Sequence, residues 1–388
     1  MNFGIVCEFN PFHNGHAYLL ESARVLGADN IVCAMSGNAV QRGELAVADK
    51  YLRAEAALKC GADLVLEIPY PWSASSAEFF ALASIRILSR YCKAIVFGSE
   101  CGDIELLQTV AEFTLSKDFV ETFELRKKSG EGAASAYFSL ISEKMGRELS
   151  SNDILGVEYI KAAKKIGADL DFYTVERKGS AYRENSLGLE KNPSATALRN
   201  EWSLGSAVFD EYMPTQAAEV FRGAFERGEI TDMSLLEKVY LAFFRFSHSE
   251  DFAKIAEAEG GIADRMCTLA RESRDFSEFW ETLRTKRYTD AKLRRAMLFC
   301  LTGVSAELLR SVPEYTYLLA ANERGRAVLS SVKKTAGEGG IKLITKPADT
   351  LKQSEQFFAE DRLNSLFSIA RKNPSSLCDS YRKNAFIL

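Results

Sequence analysis

Two imidazoles near the start of the chain stand where they could act on a phosphate. Two of the three histidines, His13 and His16, lie on either side of Gly15. They follow the apolar run Phe3 to Cys7, whose short length and β-branched centre predict a buried strand, and helical spacing begins directly afterwards at Ala17. A helix N-terminus offers unpaired N–H groups and a partial positive charge, and imidazoles there can donate hydrogen bonds to phosphate oxygens. We therefore predict phosphate handling at this turn.

Two other interpretations of the histidine pair stay open at this point. Histidines three residues apart can both ligate a metal ion, and a histidine can also simply pack in a core. The place of the pair after the first strand, where open α/β sheets bind ligands, favours the phosphate. Gly15 supports this choice, because a glycine lets a ligand approach the backbone closely.

A second polar helix start lies far along the chain. Ser194 and Thr196 supply hydroxyl groups there, and Arg199 could reach a phosphate from the first helical turn. Alone, serine and threonine at such a place are ordinary helix caps. Together with the histidine turn, they predict two helix starts that flank one triphosphate.

The loop after the second predicted strand is dense in polar side chains. It could form the wall of a pocket for a small carboxylate or for magnesium-bound phosphates, with Arg42 and Lys50 as the cations. The alternative is an exposed loop without a function. The residues predicted for this pocket are Ser36, Asn38, Gln41, Arg42 and Lys50.

Three further residues lie at predicted strand–helix junctions on the same edge. Gly98 would let an adenine or a ribose rest against the backbone. Arg177 could clamp a phosphate through two parallel hydrogen bonds. Asn152 could also contact the nucleotide, although a helix N-cap is the rival interpretation for it.

The residues between these groups predict an α/β fold. Short apolar strands alternate with helices, which indicates a parallel sheet covered on both faces, with polar loops at its ligand-binding edge. Strands are predicted at 3–7, 30–35, 63–68, 94–97 and 170–175, and a mostly helical insertion at about 103–150. A change of character near residue 210 predicts two domains, 1–210 and 211–388. The second is mostly helical, with a small α/β element made by a strand at 341–345 and a helix at 355–371.

Composition limits the class of protein. The chain has 388 residues, of which 47% are hydrophobic and 26% charged, as in ordinary soluble globular proteins. The sequence contains no apolar run long enough to span a membrane, so we expect a cytoplasmic protein. Its eight cysteines include no C-x-x-C pair, which predicts buried free thiols rather than disulfides or a zinc site.

One segment of the second predicted domain is locally basic. The chain as a whole has a net charge of −4, whereas thirteen Lys/Arg against eight Asp/Glu give residues 271–334 a net charge of +5. Contact with RNA phosphates, with Tyr288 stacked on an unpaired base, is one interpretation, and a solvated helix face is the other. The residues in question are Lys286, Arg287, Tyr288, Arg294 and Arg295.

Seven stretches taken in order resemble a known family. They are CEFNPFHNGH, SGNAVQRGELAVADK, FGSE, SNDILGVEYI, VERKG, SATALR and KRYTDAKLRR. Together they are similar to the bacterial tRNA(Met) cytidine acetate ligase family, within the HIGH-type nucleotidyltransferase superfamily. The resemblance implies a Rossmann-like nucleotidyltransferase domain followed by a mostly helical domain that binds RNA, with Lys178 among the contacts to tRNA.

The resemblance also implies a reaction and its contacts. Acetate attacks the α-phosphate of ATP, and the resulting acetyl-adenylate acetylates N4 of the wobble cytidine of elongator tRNA(Met), with Mg²⁺ assisting the first step. His13 and His16 would be catalytic, and no obligate protein partner or protein-held metal is expected. The implied ATP contacts are Cys7, Glu8, Phe9, Asn10, Pro11, Phe12, His13, Asn14, Gly15, His16, Gly98, Asn152 and Arg177, beside the predicted Ser194, Thr196 and Arg199.

Two rival functions remain at this stage. A small-molecule adenylyltransferase of the same superfamily would need no RNA-binding surface, so the basic segment argues against it. A non-catalytic, nucleotide-dependent RNA-binding protein would have no use for the intact histidine pair.

Overall fold

A mostly parallel β-sheet runs through the centre of the molecule. The computed structural model describes residues 1–177, 195–203, 209–333, 340–350 and 353–388. Within these ranges the strands are β1 (Asn2–Cys7), β2 (Asn30–Ser36), β3 (Ala39–Val40), β4 (Glu44–Leu45), β5 (Leu64–Ile68), β6 (Ala94–Ser99), β7 (Asp171–Glu176), β8 (Tyr315–Ala321), β9 (Lys342–Ile344) and β10 (Phe386–Ile387). The main sheet has the order β10-β8-β5-β2-β1-β6-β7, with β9 paired to β8.

Helices cover the sheet and make up most of the second half of the chain. In the first half they are α1 (Asn14–Val25), α2 (Lys50–Lys59), α3 (Ala77–Leu88), α4 (Ile104–Leu115), α5 (Lys117–Lys128), α6 (Ala133–Met145), α7 (Ser151–Ile166) and α8 (Ala195–Ser203). The second half contains α9 (Thr215–Glu226), α10 (Glu237–Phe246), α11 (Ile262–Glu272), α12 (Phe276–Leu283), α13 (Asp290–Thr302), α14 (Ala306–Arg310), α15 (Glu323–Lys333), α16 (Glu355–Ile369) and α17 (Leu377–Ser380).

The predicted α/β architecture is confirmed. Strand β1 lies in the middle of the sheet, in parallel register with β2 on one side and β6 on the other. Because these strands run in the same direction, their carboxyl ends and the loops that follow meet at one edge. The turn that carries the histidines therefore lies between the loop after β2 and the end of β6.

Two strands of the main sheet, β8 and β10, were not predicted from the sequence. Strand β8 pairs antiparallel with β5, and its seven residues are all buried. Strand β8 and its parallel neighbour β10 both come from beyond residue 210, so the central sheet crosses the boundary proposed from composition. The segment beyond residue 210 thus contributes strands to the same sheet as the first segment, and the division into domains 1–210 and 211–388 stays a prediction. No helix in the described ranges is long and apolar enough to cross a membrane.

Helix α15 is fastened to the start of β5 through a close backbone approach. Asn322 Nδ2 donates to Asp63 Oδ1 at 3.0 Å, and Asn322 N donates to Asp63 O at 3.0 Å. One turn further along, Gly325 lies so close that a Cβ atom there would collide with the Asp63 carbonyl oxygen. Backbone atoms cannot swing aside as a flexible side chain can, so this position needs a glycine.

Gly325→Ala should lower the free energy of unfolding by about 1–3 kcal/mol, because the added methyl forces α15 away from β5. The matched control is Gly223→Ala in helix α9, where a Cβ would meet only the end of the Arg227 side chain, at 3.1 Å. That change should leave stability unchanged or raise it by up to about 1 kcal/mol, since alanine favours the helix. Urea denaturation of both variants measures the difference, and equal effects would contradict the packing argument.

Candidate active site

The turn between β1 and α1 is held in an unusual backbone conformation. Phe9 has φ +44°, in the left-handed region that residues other than glycine seldom adopt. Its fully buried ring packs against Phe12 at 4.8 Å and against His16 at 5.0 Å between ring centroids. Such a conformation persists only where the surrounding packing fixes it, and it is common at functional sites.

The two histidines are stacked on each other at the start of α1. Their ring centroids are 3.7 Å apart, and the ring planes differ by 26°. His13 is the N-cap residue, and its Nδ1 accepts a hydrogen bond from Gly15 N at 3.1 Å. His16 Nδ1 accepts from His13 N at 3.2 Å. Each Nδ1 is thus an acceptor, so in a neutral ring the proton resides on Nε2.

Both imidazoles are neutral at physiological pH. Burial, together with the cations of Arg177 and Arg199, lowers the pKa of His13 to about 3. Burial, His13 and Arg177 lower the pKa of His16 well below its usual value. The pair therefore presents two Nε2–H donors that lose no proton and carry no charge, rather than one general base.

The structure changes one part of the sequence-based account of this turn. The expectation was that unpaired N–H groups at the start of α1 receive the phosphate. Instead, Asn14 N donates to Tyr212 O at 2.9 Å, Gly15 N to His13 Nδ1, and His16 N to His13 O at 2.9 Å. His13 and the Tyr212 carbonyl use these donors up, so the imidazole Nε2–H groups take over the role assigned to the backbone.

A cavity of about 210 Å³ opens at the end of β1. Its lining includes eight of the predicted nucleotide contacts: Cys7, Glu8, Phe9, Asn10, His16, Gly98, Asn152 and Arg177. Gln41 and Arg42 form part of its wall, and Phe80, Phe97, Leu155 and Tyr159 contribute an apolar part. Phe12 is buried beneath the turn, and His13 lies behind His16.

Glu8 brings a carboxylate into this cavity. Its Oε1 accepts a hydrogen bond from Gln41 N at 2.8 Å, which joins the end of β1 to the β3–β4 hairpin. Burial raises the pKa of Glu8, while the Gln41 hydrogen bond and the cations of Arg199 and Arg42 oppose that rise.

A buried arginine that the sequence analysis missed holds together the backbone segments beneath the site. Arg53 is fully buried, and all its hydrogen bonds go to backbone carbonyls. It donates to Ala48 O at 2.9 Å, Glu8 O at 2.6 Å and Ser36 O at 3.0 Å, and also to Gly37 O. A signal existed in the sequence: the apolar Ala56 and Ala57 stand three and four residues on, the helical spacing that puts Arg53 on the same stripe as an apolar face.

Glu100 is a second residue whose role the sequence did not reveal. Its Oε1 accepts from Asn152 Nδ2 at 2.6 Å and lies 3.2 Å from Arg177 Nε, and its Oε2 accepts from the Ser150 hydroxyl. The carboxylate therefore positions both nucleotide-contact candidates on this side. The N-cap of α7 is Ser150, so the rival interpretation of Asn152 as the cap does not hold. Gly98 lies directly beneath Arg177, whose Cγ would be 3.2 Å from a Cβ added there.

The second predicted helix start lies partly outside the described residues, as do Ser194 and Lys178. Helix α8 itself reaches the turn after β1, because Arg199 Nη1 donates to Asn10 O at 2.8 Å. Arg199 Nη2 also donates to Thr196 Oγ1 at 3.1 Å. The guanidinium thus joins α8 to the histidine turn, and it stays a prediction that the two helix starts flank one triphosphate.

Three residues predicted for the carboxylate pocket do not reach the cavity. Lys50 is buried, and its Nζ lies 2.6 Å from Glu67 Oε2, while Asn38 donates to Asn364 and Ser36 is fully buried at the end of β2. Burial disfavours the charge of Lys50, but the Glu67 carboxylate outweighs this and raises its pKa above the usual value. A buried lysine needs such a partner, which sequence spacing does not show.

The basic segment is only partly available to a ligand. Arg295 is 9% exposed, and its Nε and Nη2 each lie 2.8 Å from a Glu257 carboxylate oxygen, so it cannot serve as the predicted RNA contact. Arg294 pairs with Glu44 at 3.1 Å, and Tyr288 donates its hydroxyl proton to Gly260 O at 3.0 Å. Lys286 and Arg287 are exposed and have no ion-pair partner within the described ranges.

Comparisons with known proteins identify the family of this chain. Residues 1–380 match the model of the HIGH Nucleotidyl Transferase family. A protein of Thermotoga maritima described as tRNA(Met) cytidine acetate ligase is 36% identical over 85% of this chain and 84% of its own length. One from Syntrophotalea carbinolica with the same description is 32% identical over 85% of this chain and 82% of its own. The crystal structure of Thermotoga maritima TmcAL without ligand has a TM-score of 0.90 at 30% identity, over 100% of this chain and 99% of that one. The same protein bound with alpha-thio ATP gives 0.88 over the same shares.

The neutral state of the histidine pair can be tested by NMR. We expect the ring nitrogens of His13 and His16 to show the Nε2–H tautomer and no titration between about pH 5 and pH 8, because both pKa values are lowered. Long-range ¹H–¹⁵N spectra, assigned with single His→Asn variants, measure this directly. A titration of either ring near pH 6.5 would contradict the geometry described above.

Proposed function

This chain belongs to the tRNA(Met) cytidine acetate ligase family of HIGH nucleotidyl transferases, and we propose how its cavity carries out the two steps of that reaction. ATP enters as its magnesium complex, and acetate attacks the α-phosphate to give acetyl-adenylate and pyrophosphate. The amino group N4 of the wobble cytidine of elongator tRNA(Met) then takes the acetyl group, and AMP leaves.

The stacked imidazoles are the observation that carries this proposal. Their Nε2–H groups stand at the end of β1, already oriented by the hydrogen bonds to Nδ1. Negative charge grows on the α-phosphate oxygens as acetate attacks, and preorganised donors stabilise that charge without a cost of reorganisation. Arg177 and Arg199 lie close enough to lower the pKa of His13, and they add positive charge near the pair.

The order of the strands supports an assignment of the subsites. Gly98 lies in β6, Arg177 follows β7 and Asn152 is in α7, all on one side of β1, and we place the adenosine there. Gln41 and Arg42 belong to the hairpin after β2, on the other side of β1, and we place the acetate carboxylate beside them. The α-phosphate then lies between the two, above the histidine turn, and the acetate oxygen must approach it from the face opposite the bond to pyrophosphate, so that the P–O bond forms as pyrophosphate leaves.

Asparagine substitutions test the role of the imidazoles. In His13→Asn and His16→Asn, the amide oxygen can replace Nδ1 as the acceptor, whereas the Nε2–H donor is lost. We expect acetate-dependent exchange of pyrophosphate into ATP to fall by about 100-fold or more in each variant, with little change in thermal stability.

The third histidine provides the matched control for these variants. His248 precedes a short helical turn in the second half of the chain, and its backbone N bonds to Asp251. His248→Asn should leave the exchange rate unchanged. Wild-type exchange in His13→Asn and His16→Asn would exclude the phosphate role of the pair.

Contact with tRNA is tested at Lys286 and Arg287, two exposed cations of the basic segment. The double variant Lys286→Gln, Arg287→Gln should bind tRNA(Met) more weakly, with a salt dependence smaller by up to about two contacts, and should keep its acetate-dependent exchange rate. Lys164→Gln with Lys165→Gln, at the far end of α7, removes the same charge elsewhere. Equal tRNA affinities in the two double variants would remove this segment from the RNA-binding surface.

A further inference from the structure

A second cavity lies on the other side of the β3–β4 hairpin. It measures about 200 Å³, and most of its wall is aromatic or sulfur-containing: Phe276 and Trp280 of α12, Tyr240 of α10, Met233 and Met297. An aromatic wall of this kind suits a planar ring system, because flat rings stack on aromatic side chains. We call it the Trp280 slot.

The Trp280 slot also has polar lining residues, namely Arg294, Glu44 and Glu237. The Arg294 guanidinium lies over the Trp280 ring, 5.1 Å from its centroid, and its Nη1 lies 3.1 Å from Glu44 Oε1. The side chains of Arg294 and Glu44 are 33% and 26% exposed, so both can meet a ligand at the mouth. The slot therefore combines an indole face, a stacked guanidinium and a carboxylate acceptor.

The slot is joined to the nucleotide cavity by consecutive residues. Gln41 and Arg42 line the nucleotide cavity, whereas Gly43 and Glu44 line the slot. At Gly43, φ is +77°, and an added Cβ would be 2.5 Å from the backbone N of Arg295. The tip of the hairpin is thus pressed against the backbone of α13, so one thin wall separates the two openings.

This arrangement has the chemistry of a site for an unpaired nucleobase. Bases of single-stranded RNA stack on aromatic rings and on arginine planes, and they are read by hydrogen bonds to their edges. Glu44 can accept a hydrogen bond from an amino group or a ring N–H of such a base. A base that is to react in the nucleotide cavity must leave its own stack, which also exposes its neighbours.

We propose that the Trp280 slot binds, by stacking on Trp280 and Arg294, one of the two bases that flank the acetylated cytidine. This inference rests on the proposed acetylation of tRNA. The hairpin then acts as the divider between two splayed nucleotides, with the cytidine on the side of Arg42 and its neighbour on the side of Glu44. The slot thereby positions N4 of the cytidine against the acetyl-adenylate.

Two substitutions of Trp280 separate stacking from simple packing. Trp280→Leu keeps an apolar side chain without a π-face, and we expect kcat/KM for tRNA to fall by about 10- to 100-fold. Trp280→Phe restores a ring and should recover most of that loss. Acetate-dependent pyrophosphate exchange should be unchanged in both, because the slot touches neither ATP nor acetate.

The control is Phe246, an aromatic residue at the C-terminal end of α10 that does not line the slot. Phe246 is 85% exposed, and Phe246→Ala should leave tRNA acetylation unchanged. Equal losses in Trp280→Leu and Trp280→Phe would show a packing role and would overturn the proposal. So would a wild-type rate in Trp280→Leu.

An abasic RNA identifies the base. Anticodon stem-loops that lack the base on the 5′ or on the 3′ side of the cytidine are acetylated by the wild type and by Trp280→Leu. At one of the two positions, removing the base should slow acetylation by the wild type but should not slow Trp280→Leu any further. The losses are not additive because the Trp280 ring and that base make one stacking interaction. Independent, multiplying losses at both positions would overturn the proposal. If the wild type acetylates no RNA at all, the proposed function fails instead.

Discussion

The buried guanidinium of Arg53 is the interaction on which the geometry of the site depends. It is held by the carbonyls of Glu8, Ser36, Gly37 and Ala48, and so it ties the ends of β1 and β2 to the start of α2. Burial lowers its pKa to about 10, which leaves it protonated at neutral pH. Removing this buried cation would leave four carbonyls without their donor. Moving these backbone segments apart would therefore cost free energy, because the same hydrogen bonds would be lost.

The cavity at the end of β1 is surrounded by positive charge, while its central hydrogen-bond donors, the imidazoles of His13 and His16, stay neutral. Burial lowers the pKa of both His13 and His16, and the charge of Arg177 lowers both further, so the two rings stay unprotonated. Arg199 adds to the effect on His13, and Arg42 lies close enough to act on Glu8. Neutral imidazoles held by their Nδ1 atoms can donate to a developing negative charge without taking part in a competing proton transfer. Glu8 is the carboxylate of the cavity lining, where it joins β1 to the hairpin that separates the nucleotide cavity from the Trp280 slot.

The sequence predicted the elements that carry the site better than the contacts among them. Local apolar runs identified the parallel strands around β1, because the residues that mark each of these strands are consecutive in the sequence. Strand β8 was missed, since its place beside β5 depends on a pairing across some 250 residues that periodicity does not record. Likewise, Lys50 and Arg42 look equivalent in the sequence, because both are cations of one polar stretch. Only the fold shows that Lys50 is buried against Glu67, whereas Arg42 lines the nucleotide cavity. Arg295 was misjudged in the same way, because its partner Glu257 is remote in sequence.

The measurement that tests the central claim most directly is mass spectrometry of the nucleosides of elongator tRNA(Met). Unmodified tRNA is incubated with the protein, ATP, Mg²⁺ and isotope-labelled acetate, beside a tRNA whose wobble cytidine is replaced by uridine. We predict labelled N4-acetylcytidine at the wobble position of the first tRNA and no label in the second. Pyrophosphate release without any label in the RNA would contradict the account, because the cavity would then activate a carboxylate or nucleotide for a different acceptor.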